Sequence, residues 1–358
     1  MLKKSIICAA FVLATLSGFS QKRSKHAKNV ILMVGDGMGV AQIYAGLTGN
    51  HGTLNLERCT AVGFHKNQAS NKYVTDSAAG ATALSCGQKT YNGAIGVDAN
   101  GNPLPTILEI AEDNGLSTGM IATCSITHAT PASFISHQPS RSLDENIAMD
   151  FLKTDIDLFI GGGRKFFTQR TDSLNLTDSL KARGYQIANS IAEVQQITSG
   201  KLAAFLADTQ QAKFSEGRGN ELVKSTDKAL ELLKGNKKGM FLMIEGSQID
   251  WGGHGNDTQY IVDEMIDFDN AIGKVLDFAA KDGNTLVIIT ADHETGGLSI
   301  IGGDTKAGTV EGKFTTKSHT GVMIPVFAYG PGAEQFSGIY ENTAIFHKML
   351  AAFKFKKK

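Results

Sequence analysis

Several stretches of the sequence place ionisable side chains where a short apolar run ends. VGDG carries Asp36, IEGSQIDWGGH carries Glu245, Asp250 and His254, and TADHE carries Asp292 and His293. A further stretch, VTDSAAGATAL, sets Asp76 directly before Ser77. Carboxylates and imidazoles with no cysteine among them suit Zn2+, Mn2+ or iron, and an all-oxygen subset suits Mg2+. Asp250 and His254 stand at i and i+4 with glycines between them, so both can turn onto one ion. Asp292 and His293 are adjacent and on a strand end would point apart, unless a turn at Gly296 and Gly297 relieves it. Each feature alone has a plainer reading. An Asp-His pair can cap a turn, GDGMG can be a glycine-rich entry to a helix, and Asp76 can cap a small-residue core helix. The dinucleotide fingerprint, the P-loop and HExxH are absent.

The elements that must position these residues alternate. Apolar, β-rich runs predict strands at 29–35, 117–124, 157–162, 239–246, 284–292 and 325–330. Helical patterns predict helices at 38–48, 77–86, 104–114, 143–153, 220–234, 258–281 and 341–352. The alternation implies an α/β fold, a three-layer sandwich around a central, mainly parallel sheet. In such sheets the ligand crevice lies at the carboxyl ends of the strands, which is where the acids and histidines fall. Residues 28–355 are expected to form a single catalytic domain, with a small inserted cap at 163–215.

The chain has 358 residues, 35 Lys+Arg and 35 Asp+Glu, and is 42% hydrophobic. Zero formal net charge gives no electrostatic footprint for nucleic acid, so a charged ligand must be held by a local cluster. The start, MLKKSIICAAFVLATLSGFSQ, has the charge and short apolar run of a signal peptide cut near Ser20. That predicts an exported protein, periplasmic or secreted, with no membrane attachment once residues 1–20 are removed. Cys59, Cys86 and Cys124 then remain, without CxxC spacing, and read as small buried hydrophobes. The lysine-rich tail reads as a solvated end.

Six blocks carry a resemblance. NVILMVGDGMG, VTDSAAGATALSCGQKTYNGAIGVD, THATPASFISHQPSR, MIEGSQIDWGGHGND, TLVIITADHETGG and HTGVMIPVFAYGPGA occur in that order between residues 29 and 333. Together they resemble the successive signature blocks of the alkaline phosphatase family. The resemblance implies that Ser77 is a nucleophile forming a phosphoseryl intermediate. It implies one zinc on Asp36, Asp292 and His293, which also binds the Ser77 oxygen, and a second on Asp250, His254 and His319. Asp36, Thr130 and Glu245 match the magnesium ligands. Arg141 falls where the family has its phosphate-binding arginine, and Asp76 would orient that guanidinium. Family members are commonly homodimers, which makes a dimer the expectation.

The physical logic is independent of the likeness. A phosphate monoester dianion repels an anionic nucleophile, so cations must neutralise both the attacking and the leaving oxygen. Serine needs activation, an arginine fork clamps two phosphate oxygens, and a helix start offers N–H groups. Two positions vary within the family. His128 stands where some members have Asp, and Trp251 where some have a basic residue. His26, His51, His65, His137 and His347 have no motif role and read as structural, and Lys89 could approach the substrate without being catalytic.

The expected activity is therefore hydrolysis of phosphate monoesters at a two-zinc, one-magnesium site, releasing inorganic phosphate. Two alternatives stand beside it: a phosphodiesterase of the same superfamily, and a non-catalytic envelope protein binding metal or phosphate. The modified C/S-x-P-x-R motif of sulfatases is absent at Ser77.

Overall fold

The computed structural model describes residues 26–355. Its strands, in chain order, are β1 (Asn29–Gly35), β2 (Ala61–Lys66), β3 (Ser117–Ser125), β4 (Leu158–Gly162), β5 (Tyr185–Ala188), β6 (Lys201–Phe205), β7 (Met240–Gly246), β8 (Thr285–Thr290), β9 (Glu294–Thr295), β10 (Leu298–Asp304), β11 (Thr309–Phe314), β12 (His319–Thr320), β13 (Ile324–Tyr329) and β14 (Gly338–Glu341). Ten of them form one sheet in the order β14-β2-β13-β8-β1-β7-β3-β4-β6-β5. Only β13 runs against its neighbours β8 and β2, and the other pairings are parallel.

Central strands buried on both faces read as continuous apolar runs. In β1, Val30, Leu32 and Val34 face one core, while Ile31 and Met33 face the other. The same alternation divides Phe241 and Met243 from Leu242 and Ile244 in β7. Helices Ser77–Cys86, Ile107–Asp113, Asp144–Asp150 and Thr343–Phe353 cover the first face. Helices Val40–Gly49, Glu221–Leu233 and Thr258–Asp282 cover the second. Three layers result, as the alternation of the sequence implies.

Local chemistry sets the helix ends. Thr106 and Glu109 form a reciprocal capping box, which starts that helix after Pro105, a little later than its pattern suggests. Asp257 caps the long helix Thr258–Asp282, and Gly283, at φ 72°, ends it in the left-handed region.

The stretch 163–215, expected as a small cap, instead builds the edge of the central sheet. β6 pairs in parallel with β4, and β5 with β6. The reason is apolar burial: Phe159, Phe167, Tyr185 and Phe205 pack ring against ring across these elements. The signal peptide expected at 1–20 lies outside the described residues, as do the last lysines, 356–358. Among the described residues no helix is long and apolar enough to cross a membrane. Cys59, Cys86 and Cys124 are all free thiols.

Candidate active site and metal centre

β8, β1, β7 and β3 are successive neighbours in the sheet, and their carboxyl ends converge. Asp36 follows β1, Glu245 lies in β7, and Asp292 and His293 follow β8. Helix Ile249–Gly255 carries Asp250 and His254, the short helix Ala129–Ala132 after β3 carries Thr130, and β12 carries His319. Ser77 is the first residue of helix Ser77–Cys86. Two glycines let these segments meet. A Cβ on Gly37, whose φ is +72°, would stand 2.6 Å from the Asp250 Cα, and one on Gly80 would stand 3.0 Å from the Asp292 Cβ.

Asp36, Asp292 and His293 form one fully buried cluster. His293 Nε2 lies 3.1 Å from Asp292 Oδ2, 3.5 Å from Asp36 Oδ1 and 3.2 Å from Ser77 Oγ. Burial, reinforced by the charges of Asp292, Asp250 and Glu245, pushes the Asp36 carboxyl well above its ordinary range. Burial works against the Asp292 charge, but the neighbouring His293 outweighs it and holds that carboxyl low.

Asp250, His254 and His319 form a second cluster. His254 Nε2 is 3.4 Å from Asp250 Oδ2 and 3.2 Å from His319 Nε2. Both rings are fixed from behind, His254 Nδ1 donating to the Lys317 carbonyl at 2.6 Å and His319 Nδ1 to the Thr75 carbonyl at 2.9 Å. A carbonyl can only accept, so each ring presents Nε2 to the cluster, the arrangement a metal-binding imidazole needs. The Thr295 hydroxyl donates to Asp250 Oδ1 and lies 3.2 Å from His293 Nδ1, tying the two clusters together. The His293 and His319 rings stack at 3.5 Å between centroids.

The Thr130 hydroxyl donates to Asp36 Oδ2 at 3.5 Å, beside Glu245. Burial, with the charge of Asp292 adding to it, lifts the Glu245 carboxyl to about 8. A third cluster brings in a residue the sequence reading set aside, for Cys124 and His128 join Glu245. Metal ions fit these three sets. Asp36 Oδ1, Asp292 Oδ2 and Glu245 Oε1 are buried with no hydrogen-bond partner, a costly state for carboxylates that a cation relieves.

Arg141 completes the site. Its Nη1 donates to Asp76 Oδ2 at 3.1 Å, and its Nη2 lies 3.2 Å from His128 Nε2. Burial, with the Arg141 charge second, lowers His128 to about 4, so the neutral ring accepts from the guanidinium. Trp251 meets the His128 ring edge to face, 6.3 Å between centroids. Sequence reasoning missed Asn92 and Gly93. The Gly93 N–H donates to Asp76 Oδ2, the Asp76 N–H donates to Asn92 Oδ1, and the Arg141 N–H donates to the Gly93 carbonyl. Their one sequence signal is the turn-forming Asn-Gly pair.

Residues read as structural are placed elsewhere. His65 lies near the Ala291 carbonyl, His137 bridges Gly96 and Glu109, and His51 meets the Lys306 carbonyl. Lys89 pairs with Glu341 at 3.4 Å.

The model of the alkaline phosphatase family matches residues 27–313 and 306–355. The chain belongs to the alkaline phosphatase family. Alkaline phosphatase 4 of Bacillus subtilis is 34% identical, the match covering 96% of this chain and 92% of that protein. Alkaline phosphatase of Escherichia coli is also 34% identical, over 92% of this chain and 86% of its own. The solved alkaline phosphatase of the Antarctic bacterium TAB5 is 45% identical with a TM-score of 0.88, covering 93% of this chain and 99% of that one. A mutant of the TAB5 alkaline phosphatase, 44% identical with a TM-score of 0.87, is described with Mg bound in its M3 site; the match covers 93% of this chain and 99% of that one.

Proposed function

We propose that this alkaline phosphatase works through Ser77 as nucleophile, at a site holding two zinc ions and one magnesium ion, in a protein exported from the cytoplasm. As a member of its family it hydrolyses phosphate monoesters. The observation that carries the mechanism is the position of Ser77 Oγ, 3.2 Å from His293 Nε2 at the start of a helix.

Asp36, Asp292 and His293 would hold the zinc beside Ser77, Asp250, His254 and His319 the second zinc, and Asp36, Thr130 and Glu245 the magnesium. Bound there, the ions supply positive charge to the attacking and leaving oxygens and acidify the serine hydroxyl. The chain's own groups do the rest. Arg141, held between Asp76 and His128, presents its fork to two phosphate oxygens. The helix start adds the positive end of its dipole, and Asp76 leaves that start rigid by accepting from the Ala79 N–H. Ser77 Oγ forms a bond to phosphorus as the alcohol leaves, and water then cleaves the phosphoserine.

A homodimer belongs to the same reading. Val62 and Ile339 on β2 and β14, and Tyr73, Val322 and Met323 beside them, leave large apolar side chains exposed.

The test is hydrolysis of p-nitrophenyl phosphate against bis-p-nitrophenyl phosphate at alkaline pH, with protein stripped by chelator and then restored with zinc and magnesium. Restored turnover favouring the monoester is expected. Preference for the diester would move the protein to the phosphodiesterases, and tight zinc binding without turnover would make it a binding protein.

A further inference from the structure

Helix Ile249–Gly255 carries two residues of the second cluster, Asp250 and His254, yet little within it holds them still. Gly252, Gly253 and Gly255 make up three of its seven residues, and glycine is the poorest helix former after proline. Its start has no side-chain cap. Rigidity must therefore come from outside, where the chain enters from β7.

Gln248, the residue before the helix, is fully buried. Its Nε2 donates to the Thr123 carbonyl at 2.7 Å and to the Gln211 carbonyl at 3.1 Å, and its Oε1 accepts from the Tyr260 hydroxyl at 2.6 Å. The NH2 end faces carbonyls, which only accept, so the oxygen is left to the one hydroxyl and the amide has a single orientation. Thr123 lies where β3 is paired on neither side: the ladder with β7 ends at Ala122, and the ladder with β4 skips from Ile121 to Ser125. Gln211, also buried, fills the same break, its Nε2 donating to the Ala122 carbonyl at 2.7 Å. Buried carbonyls need donors, and here two glutamine amides replace a sheet ladder. They join β3, the loop after β6 and helix Thr258–Asp282 to the entry of the glycine-rich helix.

We propose that Gln248, locked by Gln211 and Tyr260, is a positioning residue that sets where Asp250 and His254 stand and so governs the zinc affinity of the second cluster. The inference rests on the two-zinc reading above and adds to it a residue outside the ligand set. A buried amide can serve stability alone, but two observations point to the site. Gln248 stands two residues before Asp250, and the helix beyond it has no slack: a Cβ on Gly252 would meet Ile261 Cγ1 at 2.7 Å, and one on Gly253 would meet the Thr295 carbonyl oxygen at 2.8 Å. A shift at the entry is therefore passed on to Asp250 and His254 rather than absorbed. The first cluster follows β1 and β8, so it should feel the change far less.

The test titrates Zn2+ into the metal-stripped full-length protein against a chromophoric chelator, which resolves the separate binding steps. The step belonging to the second cluster is the one that His254→Ala abolishes. Tyr260→Phe removes only the hydroxyl that fixes the amide, and should weaken that step about tenfold while leaving the other within about twofold. Gln248→Met should weaken the same step further. Tyr185→Phe is the control: it takes a buried hydroxyl from the Ile156 carbonyl at the far edge of the sheet, and should move neither step. An unchanged second-cluster step in Tyr260→Phe overturns the inference, whether or not Gln248→Met folds. So does an equal loss at both steps, or the same loss in Tyr185→Phe, because either is general destabilisation. When the wild type binds zinc at both clusters, these results sink this inference alone. If the wild type binds no zinc there, the two-zinc reading falls and the inference falls with it.

Discussion

Asp76 and Arg141 are joined at 3.1 Å, and the same carboxylate caps the helix that begins with Ser77, its Oδ1 accepting from the Ala79 N–H at 3.0 Å. One side chain thereby fixes both the nucleophile's helix and the phosphate clamp. Asp76→Ala should free the guanidinium and raise the inhibition constant for inorganic phosphate about tenfold, while costing about 1 kcal/mol of stability from the lost cap. Asp76→Asn keeps a cap oxygen and should keep most of the stability, yet still weaken phosphate binding. Phosphate inhibition and thermal melting of both variants check the separation.

Trp251 lies against His128, next to Arg141, where some family members carry a basic residue. A neutral ring adds no charge to the phosphate site. Trp251→Lys should lower the inhibition constant for phosphate about fivefold, the effect of roughly 1 kcal/mol from a partly solvated added charge. An unchanged constant would show that position 251 does not face bound phosphate.

Gly80 separates stability from metal retention. Alanine favours a helix interior by about 1 kcal/mol over glycine, but its Cβ would press on Asp292, 3.0 Å from Cβ and 3.2 Å from the carbonyl oxygen. Gly80→Ala should therefore lose zinc faster to a chelator while melting no earlier than wild type when both are metal-free. Zinc release followed by a colorimetric chelator, beside calorimetry, measures both.

The metal-free protein should weaken as pH rises. Glu245 stays protonated in the fold up to about 8, against an ordinary 4.5, because of burial first and the charge of Asp292 among its neighbours. Asp36 is raised for the same reasons. Through that window these two carboxyls bind more protons in the folded state than in the unfolded chain, so the stability they contribute falls as pH climbs. His254, raised to about 9 from 6.5 by its hydrogen bond to Asp250, acts in the same direction, since its contribution is lost as pH rises through that value. His65, His128 and His319, lowered to about 4 chiefly by burial, oppose this below about pH 6.5, so melting of chelator-treated protein should decline between about pH 7 and pH 9, and restored metal should flatten the curve.

Much of this was legible in the sequence because the central strands are buried on both faces and the acids stand at their ends. The six expected strands became β1, β3, β4, β7, β8 and β13, and Asp36, Glu245 and Asp292 did meet across three adjacent ones. Less legible were elements whose pattern is weak. β5 and β6 are short, and β10 and β11 alternate exposed and half-buried residues in a surface hairpin, so neither pair gives a long apolar run. Cys124 could not be linked to Glu245, because their proximity comes from pairing of β3 with β7, which sets Ala122 opposite Glu245. Gly93 was hidden because it holds Asp76 and Arg141 through its backbone N–H and carbonyl, which leave no residue-type signal, and Asn92 because its side-chain oxygen meets the Asp76 N–H only across a folded loop.

The central claim is that Ser77 carries the phosphoryl group. Turnover of a phosphate monoester by the zinc- and magnesium-loaded protein, quenched in acid and digested for mass spectrometry, tests it directly. The account predicts phosphate on the peptide containing Ser77, absent from Ser77→Ala together with nearly all activity. Active protein with no phosphate on that peptide, or with phosphate on another residue, would contradict it.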